Sequence, residues 1–311
     1  MRRGRGIAGR GAALVAALIL TAGCGVPTSG AAPRAAAVPD PVTVPAPTTA
    51  STAPSSSSVP TPDHVMVVVF ENEDAKDVLG SGKAPYLDSL AARGVSFTDA
   101  HGEAHPSQPN YLALFSGSTQ GLTDDSCPNS FDTPNLAAQL LAAGRTFVGY
   151  SEGLPAVGST NCHTGDYARK HVPWANFPSL PVSVDQPYTA LPQNLAALPT
   201  VAFVIPDLCH DMHDCGVRAG DDWARANLSE YVDWAQTHNS LLLVTFDEDS
   251  GSAGNHIATL MVGPMVTPGV SDQRIDHYTL LRALEDMYGL PALGHAAHAA
   301  PLTGVWAGPP R

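Results

Sequence analysis

Apolar residues along this chain gather in unbroken runs rather than in alternation with polar ones. Val65-Met66-Val67-Val68-Val69-Phe70, Val201-Ala202-Phe203-Val204-Ile205 and Leu241-Leu242-Leu243-Val244-Thr245-Phe246 are three such runs, the pattern of strands covered on both faces. Thr146–Tyr150 and Ile257–Val262 predict two shorter strands. Between them the apolar spacing widens to a helical period over Tyr86–Arg93, Tyr111–Phe115, Asn135–Ala143, Trp223–Thr237 and Tyr278–Tyr288. Strands alternating with helices predict an α/β fold: a mainly parallel central sheet with helices on both faces. Ligands in such folds sit beyond the carboxyl ends of the strands, so the polar residues that follow each run are where chemistry is expected.

The front of the chain breaks this pattern. Arg2, Arg3, Arg5 and Arg10 precede a short apolar run, Ala12–Leu20, too short to span a membrane and suited to an export signal. Leu20-Thr21-Ala22-Gly23-Cys24 resembles a bacterial lipobox with Cys24 as the lipidated residue, although Thr21 stands where a larger aliphatic residue is usual. An ordinary signal peptide cleaved near Ala32 or Ala37 is the alternative, and both readings predict export. Residues 24–63 are rich in Pro, Ser and Thr and nearly free of charge, a composition that forms neither helix nor strand and acts as a tether. The expected organisation is a leader over 1–23, a tether over 24–63 and one domain over 64–306. The protein is expected outside the cytoplasmic membrane, lipid-anchored or secreted.

Charge narrows the partners. From Cys24 onward 12 Lys and Arg face 29 Asp and Glu, a balance that excludes general attraction to nucleic acid or anionic lipid. Membrane association is expected through the N-terminal lipid alone. Cys127, Cys162, Cys209 and Cys215 form an even set in an oxidising compartment. The close pair Cys209 and Cys215 is expected to bridge, leaving Cys127 with Cys162; a zinc site is the competing use.

Three of the predicted strands end in acids or histidines. Phe70 is followed by Glu71-Asn72-Glu73-Asp74, Ile205 by Asp207 and His210-Asp211-Met212-His213-Asp214, and Phe246 by Asp247-Glu248-Asp249. Carboxylates brought together on one sheet edge repel unless a cation holds them. Oxygen ligands with one amide suit Ca²⁺, Mg²⁺ or Mn²⁺, while added imidazoles suit Zn²⁺ or Fe. A fourth segment, His105-Pro106-Ser107-Gln108-Pro109-Asn110-Tyr111, places Pro109 in the first turn of a helix, with Ser107 or Gln108 as its cap. A serine there has its hydroxyl beside free backbone N–H groups, where a phosphate binds well.

Ser107-Gln108-Pro109-Asn110-Tyr111 with Ser116-Gly117 resembles the nucleophile motif of the alkaline phosphatase superfamily. More narrowly, it is similar to the phosphoesterase family of secreted acid phosphatases and bacterial phospholipases C. Phe70-Glu71-Asn72, the Asp207–Cys215 stretch, Thr245–Gly251, Asn255-His256-Ile257 and the segment from His277 to Pro291 match that family in order. The resemblance implies an alkaline-phosphatase-like three-layer sandwich and a divalent metal held by Glu71, Asn72, Ser107, Asp247 and Glu248. It makes Ser107 the nucleophile of a phosphoseryl mechanism. His210, His213 and His256 would contact phosphate or protonate the leaving group, and Asn72, His105 and Asp211 would lie against substrate. Glu73-Asp74-Ala75-Lys76 departs from the Arg-Ser-Phe-Asp run of the phospholipases, and the chain is shorter than they are, so an acid-phosphatase-like phosphomonoesterase is expected. A phosphodiesterase, or a non-catalytic lipoprotein that binds phosphate or metal, is the alternative.

Overall fold

The computed structural model describes residues 59–251 and 254–308; the leader, Cys24 and the tether up to residue 58 lie outside the described residues. In chain order the strands are β1 (His64–Phe70), β2 (Val95–Phe97), β3 (Ala100–His101), β4 (Phe147–Ser151), β5 (His163–Thr164) and β6 (Tyr167–Ala168). Then follow β7 (Asp185–Pro187), β8 (Val201–Ile205), β9 (Ser240–Phe246), β10 (Thr259–Val262), β11 (Gly269–Ser271) and β12 (Ile275–Asp276). The helices are α1 (Ala75–Val78), α2 (Pro85–Arg93), α3 (Gln108–Ser116), α4 (Leu136–Ala142), α5 (Val217–Ala235) and α6 (His277–Tyr288).

Eight strands form the central sheet in the order β11-β2-β10-β9-β1-β8-β4-β7. The three long apolar runs, β9, β1 and β8, are neighbours at its middle and pair in parallel. β4 and β7 extend the parallel set, whereas β10 runs against both β9 and β2. Every residue from Val65 to Phe70 and from Leu241 to Phe246 is buried, as strands covered on both faces require.

The register separates the two faces. Val67 pairs with Phe203, and Phe203 with Gly149, so these three point the same way and Phe70 points the other. On the first face Phe203 meets Phe115 of α3 and Trp174, with ring centroids 6.0 and 6.1 Å apart. A Cβ on Gly149 would sit 2.1 Å from the Trp174 ring, so only glycine lets the indole lie on the sheet there. On the second face Phe70 meets Trp223 of α5 edge-on at 6.1 Å. α2 packs on α5, and α3 and α4 pack on α6, giving the three layers expected.

Some boundaries differ from the sequence pattern, each for a local reason. α5 starts at Val217 rather than Trp223. Its polar first turns look like loop, but the buried Asp221 carboxylate accepts the N–H groups of Tyr86 and Leu87 at the start of α2. β2, β7 and β11 are three-residue strands at or next to the sheet edges, too short to carry a period. The last tether residues are held on the domain: Asp63 N–H donates to Asn239 O at 2.8 Å, and the Tyr288 hydroxyl donates to Pro62 O at 3.2 Å. Disulfides join Cys127 to Cys162 and Cys209 to Cys215. Among the described residues no helix is long and apolar enough to cross a membrane.

One buried acid ties stability to pH. Glu285 of α6 is fully buried; one carboxylate oxygen accepts the Leu293 N–H at 2.8 Å, and the other has no hydrogen-bond partner among the described residues. Burial pushes this carboxyl up to about 8. A group raised in the folded state contributes stability that is complete below its unfolded value of 4.5 and is lost as pH rises through about 8. Glu285→Gln keeps the acceptor and cannot ionise. It is expected to raise the melting temperature at pH 8, by an amount corresponding to at most about 4 kcal/mol, and to change it far less at pH 5. Thermal unfolding of both proteins at the two pH values checks this; equal shifts at both would refute it.

Candidate active site

The parallel strands deliver their carboxyl ends to one edge, and the polar residues found there converge. Glu71 follows β1 and is fully buried; Asp247 and Glu248 follow β9 and are buried as well. The chain turns sharply at Asn72, whose φ is +51°, a conformation asparagine tolerates better than most residues. That turn lets the Asn72 N–H donate to Asp247 Oδ1 at 3.1 Å, while its side-chain amide reaches Glu71 Oε2 at 3.4 Å. From the loop after β3, Gly102 lies so close that a Cβ would meet the Asp247 carbonyl at 2.6 Å.

Ser107 enters from the start of α3. It occupies the N-cap position but is itself helical, with φ −52° and ψ −54°, and its side chain makes no capping bond. Its hydroxyl, 1% exposed, instead donates to Glu71 Oε2 at 2.9 Å and lies 3.1 Å from Glu248 Oε1. The capping expectation is thereby corrected: two carboxylates from separate strands take the hydroxyl away from the helix. Four residues on, the Tyr111 hydroxyl donates to Glu71 Oε1. Glu248 Oε2 is bonded to His105 Nδ1, and His105 Nε2 lies 3.5 Å from Asp249. His105 is 45% exposed and stands on the open side of the cluster.

Electrostatics set this cluster apart from a structural network. Glu71 is pushed well above the usual carboxylate range, first by burial and then by Asp247 and Asp211. Asp247 is raised in the same way by burial and by Glu248. Glu248 is raised by burial against the opposing pull of His105, and burial takes Asp211 to about 7. Asp247 Oδ2 has no hydrogen-bond partner among the described residues. Buried carboxylates that repel one another, one with an orphaned oxygen, fit a cation that the surrounding protein does not itself supply. Hard oxygen donors with an amide alongside suit a divalent ion.

The remaining sequence candidates fall around this centre. Asp211, in the loop after β8, is fully buried and accepts the His213 N–H at 2.9 Å. His213 bonds Asp214, and its ring centroid is 6.5 Å from that of His171. His210 is 3.0 Å from Glu152 and 3.1 Å from Asp207, a grouping at the end of β4 and β8 that also has metal-ligand spacing. The His256 ring contacts the Thr98 carbonyl at 3.0 Å and stacks on His101 at 5.3 Å; its backbone N–H donates to Asp249 Oδ2.

Two residues at the site were not anticipated. His171, fully buried, lies 3.1 Å from Glu71 and 3.3 Å from Asp211. Lys170 pairs with Asp125 at 2.9 Å, and Asp125 in turn accepts the Gln108 N–H beside Ser107. Both sit in a short 3-10 turn, Arg169–His171. The signal available was charge: Arg169-Lys170-His171 are three consecutive basic side chains in an acidic domain.

Residues 77–291 match the Phosphoesterase family. The chain belongs to the phosphoesterase family. It is 51% identical over 246 residues to a phosphatidylinositol-3-phosphatase of Mycobacterium tuberculosis, an alignment covering 78% of this chain and 82% of that one. An acid phosphatase of Aspergillus fumigatus is 28% identical over 248 residues, 73% of this chain and 55% of the fungal one, so the chain spans about half of that enzyme. Among solved structures, a protein of the alkaline phosphatase superfamily from Vibrio parahaemolyticus superposes with a TM-score of 0.56 at 14% identity, over 80% of this chain and 72% of that one. The lipoteichoic acid synthase LtaP of Listeria monocytogenes gives 0.52 at 10% identity, over 78% and 75%. These likenesses bear out the expected fold and family. This phosphoesterase is a phosphoric ester hydrolase, and its substrates are phosphate esters.

Proposed function

We propose that this phosphoesterase is an exported, metal-dependent phosphomonoesterase that works through a phosphoseryl intermediate on Ser107. The observation that carries the reading is the Ser107 hydroxyl, buried at the head of α3 and held by Glu71 and Glu248 rather than by its own helix. Glu71, Asn72, Ser107, Asp247 and Glu248 would hold one divalent cation. Bound there, it would lower the pKa of the serine hydroxyl and offset charge on the phosphoryl oxygens.

The protein's own groups do the rest. Glu71 and Glu248 orient Ser107 Oγ and accept its proton as the oxygen attacks phosphorus. The bond from phosphorus to the departing alcohol breaks in line, and a histidine gives that alcohol its proton. We assign this to the partly exposed pair His210 and His213, each bonded through Nδ1 to a carboxylate. Water then attacks the phosphoserine, releasing phosphate and restoring the hydroxyl. Asn72 and Lys170 supply donors on the phosphate side, and His105 lines the open rim. The His256 ring is engaged with the Thr98 carbonyl, and it is the residue's backbone N–H that holds Asp249.

The name of the mycobacterial relative, phosphatidylinositol-3-phosphatase, extends the proposal to a phosphomonoester on an inositol ring. The leader over residues 1–23 and the Cys24 motif support a location outside the cytoplasmic membrane, with residues 24–63 as the tether. Phosphate or p-nitrophenol release from p-nitrophenyl phosphate, bis-p-nitrophenyl phosphate and phosphatidylinositol 3-phosphate, with and without added divalent metal, tests the reading. Metal-dependent turnover of the two monoesters above the diester is expected. Preference for the diester would favour the phospholipase C-like alternative, and inactivity on all three would favour a binding protein.

A further inference from the structure

The head of α3 carries an acid that no step of the proposed mechanism uses. Asp125 Oδ1 accepts the Gln108 N–H at 2.9 Å, and Asp125 Oδ2 accepts the Lys170 ammonium at 2.9 Å. Gln108 opens α3 directly after Ser107, so its N–H is among those that find no partner inside the helix. Ser107 does not fill it, because its own hydroxyl goes to Glu71 and Glu248. The pair lies within electrostatic reach of the buried cluster. Glu71, raised first by burial, is drawn back down by Lys170; Glu248, raised first by burial, is pushed further up by Asp125.

A carboxylate is the wrong charge for this place. A phosphoryl group on Ser107 Oγ carries its oxygens on the residue next to Gln108, within reach of the Gln108 N–H. A helix N-terminus with a lysine beside it suits such oxygens. Asp125 offers two oxygens to the same two donors, so the carboxylate and a bound phosphoryl group compete for them. The two sides are not equally fixed. Gln108 is 1% exposed at the head of α3. Lys170 follows Arg169, whose guanidinium is held by the carbonyls of Thr160, Asn129 and Ala175. Asp125 instead sits in the irregular stretch 121–130, between the exposed Asp124 and Ser126. The donors stay, and the acid is the partner that can yield.

We propose that Asp125 is an internal competitor for the phosphate site: its carboxylate holds the Gln108 N–H and Lys170 until the phosphoryl group of substrate or product displaces it. Asp125 thereby sets how tightly substrate and released phosphate bind. This deepens the phosphomonoesterase reading above and rests on it. A competitor in place about 90–99% of the time weakens apparent affinity about 10–100-fold, for product as well as substrate.

The test uses the full chain loaded with divalent metal, inorganic phosphate as the ligand in calorimetry and p-nitrophenyl phosphate as the substrate. Wild type, Asp125→Ala, Lys170→Met and the double variant are compared. Asp125→Ala is expected to lower the phosphate Kd and KM about 10–100-fold. In the Lys170→Met background the same change is expected to lower them less than about threefold, because the ammonium it would free is absent. A through-space charge effect would give equal gains in both backgrounds, and that result overturns the proposal. A helix cap would lower the melting temperature and leave the phosphate Kd unchanged, and a clamp that positions Lys170 would raise the Kd; either outcome refutes competition. Should Asp125→Ala fail to fold by circular dichroism, Asp125→Asn decides, since its amide oxygen still accepts the Gln108 N–H and gives up the ion pair. The phosphate Kd must then fall at least about threefold with Lys170 present and not without it; any other result overturns the proposal. If wild type turns over p-nitrophenyl phosphate and the variants bind phosphate no more tightly, this inference fails alone. If wild type neither turns over the ester nor binds phosphate, the phosphomonoesterase reading fails and the inference with it.

Discussion

Ser107→Ala is expected to lower turnover by at least about 10³-fold and to leave the fold intact. The magnitude follows from removing the atom that forms the covalent bond rather than one that merely assists it. The hydroxyl is not a structural cap, since Ser107 makes no side-chain bond to α3. What the helix uses is the Ser107 carbonyl, which accepts the Asn110 N–H at 2.9 Å and survives the substitution. The stability cost is therefore that of one lost hydrogen bond to a charged group, about 1–3 kcal/mol, visible as a modest fall in melting temperature. Steady-state rates on p-nitrophenyl phosphate, with circular dichroism as the control, decide the matter. Retention of more than a tenth of wild-type activity would remove Ser107 as the nucleophile.

Asp247→Asn separates stability from function more sharply. The carboxylate is wholly buried, and Oδ1 accepts the Asn72 N–H, a bond an amide oxygen can also accept. Burial and the neighbouring Glu248 raise its pKa, so in the metal-free protein its stabilising contribution is complete below its unfolded value of 3.8 and is lost as pH rises through the raised folded value. Asparagine lifts that penalty. At pH 7 the metal-free variant is therefore expected to melt above the metal-free wild type. With divalent metal the order reverses: a ligand at 100 times its dissociation constant stabilises by about 2.7 kcal/mol, and the variant, short of one anionic ligand, forfeits most of that and its activity too. Melting curves with and without metal read both effects. A variant that gains as much stability from metal as wild type does would move the ligand elsewhere.

The two predictions lean on features with different origins. The buried strands β1, β8 and β9 were legible because a strand covered on both faces needs an unbroken apolar run, and that need is local. The acids after those runs were legible for the same reason: a parallel sheet puts every strand's carboxyl end on one edge, so Glu71, Asp207 and Asp247 had to lie there once the strands were known. The pairing of Cys209 with Cys215 followed from closeness in sequence, and the other pair from what remained. The family resemblance added the role of Ser107, which composition and spacing alone left as a helix cap.

Tertiary structure decided the rest. That Ser107 abandons its cap for Glu71 and Glu248 depends on two strands far from it in sequence, and no local pattern encodes the approach. His171 and Lys170 reach the site from a loop of 3-10 turns without a period, placed by Arg169 and a disulfide rather than by hydrophobic spacing. The same holds for His256: its sequence position after Asn255 suits a catalytic group, yet its ring lies on Thr98 and His101. Residues that bury apolar surface answer to their immediate neighbours in the chain, so sequence fixes them. Side chains that meet across loops answer to partners a hundred residues away, and only the folded chain brings those partners together.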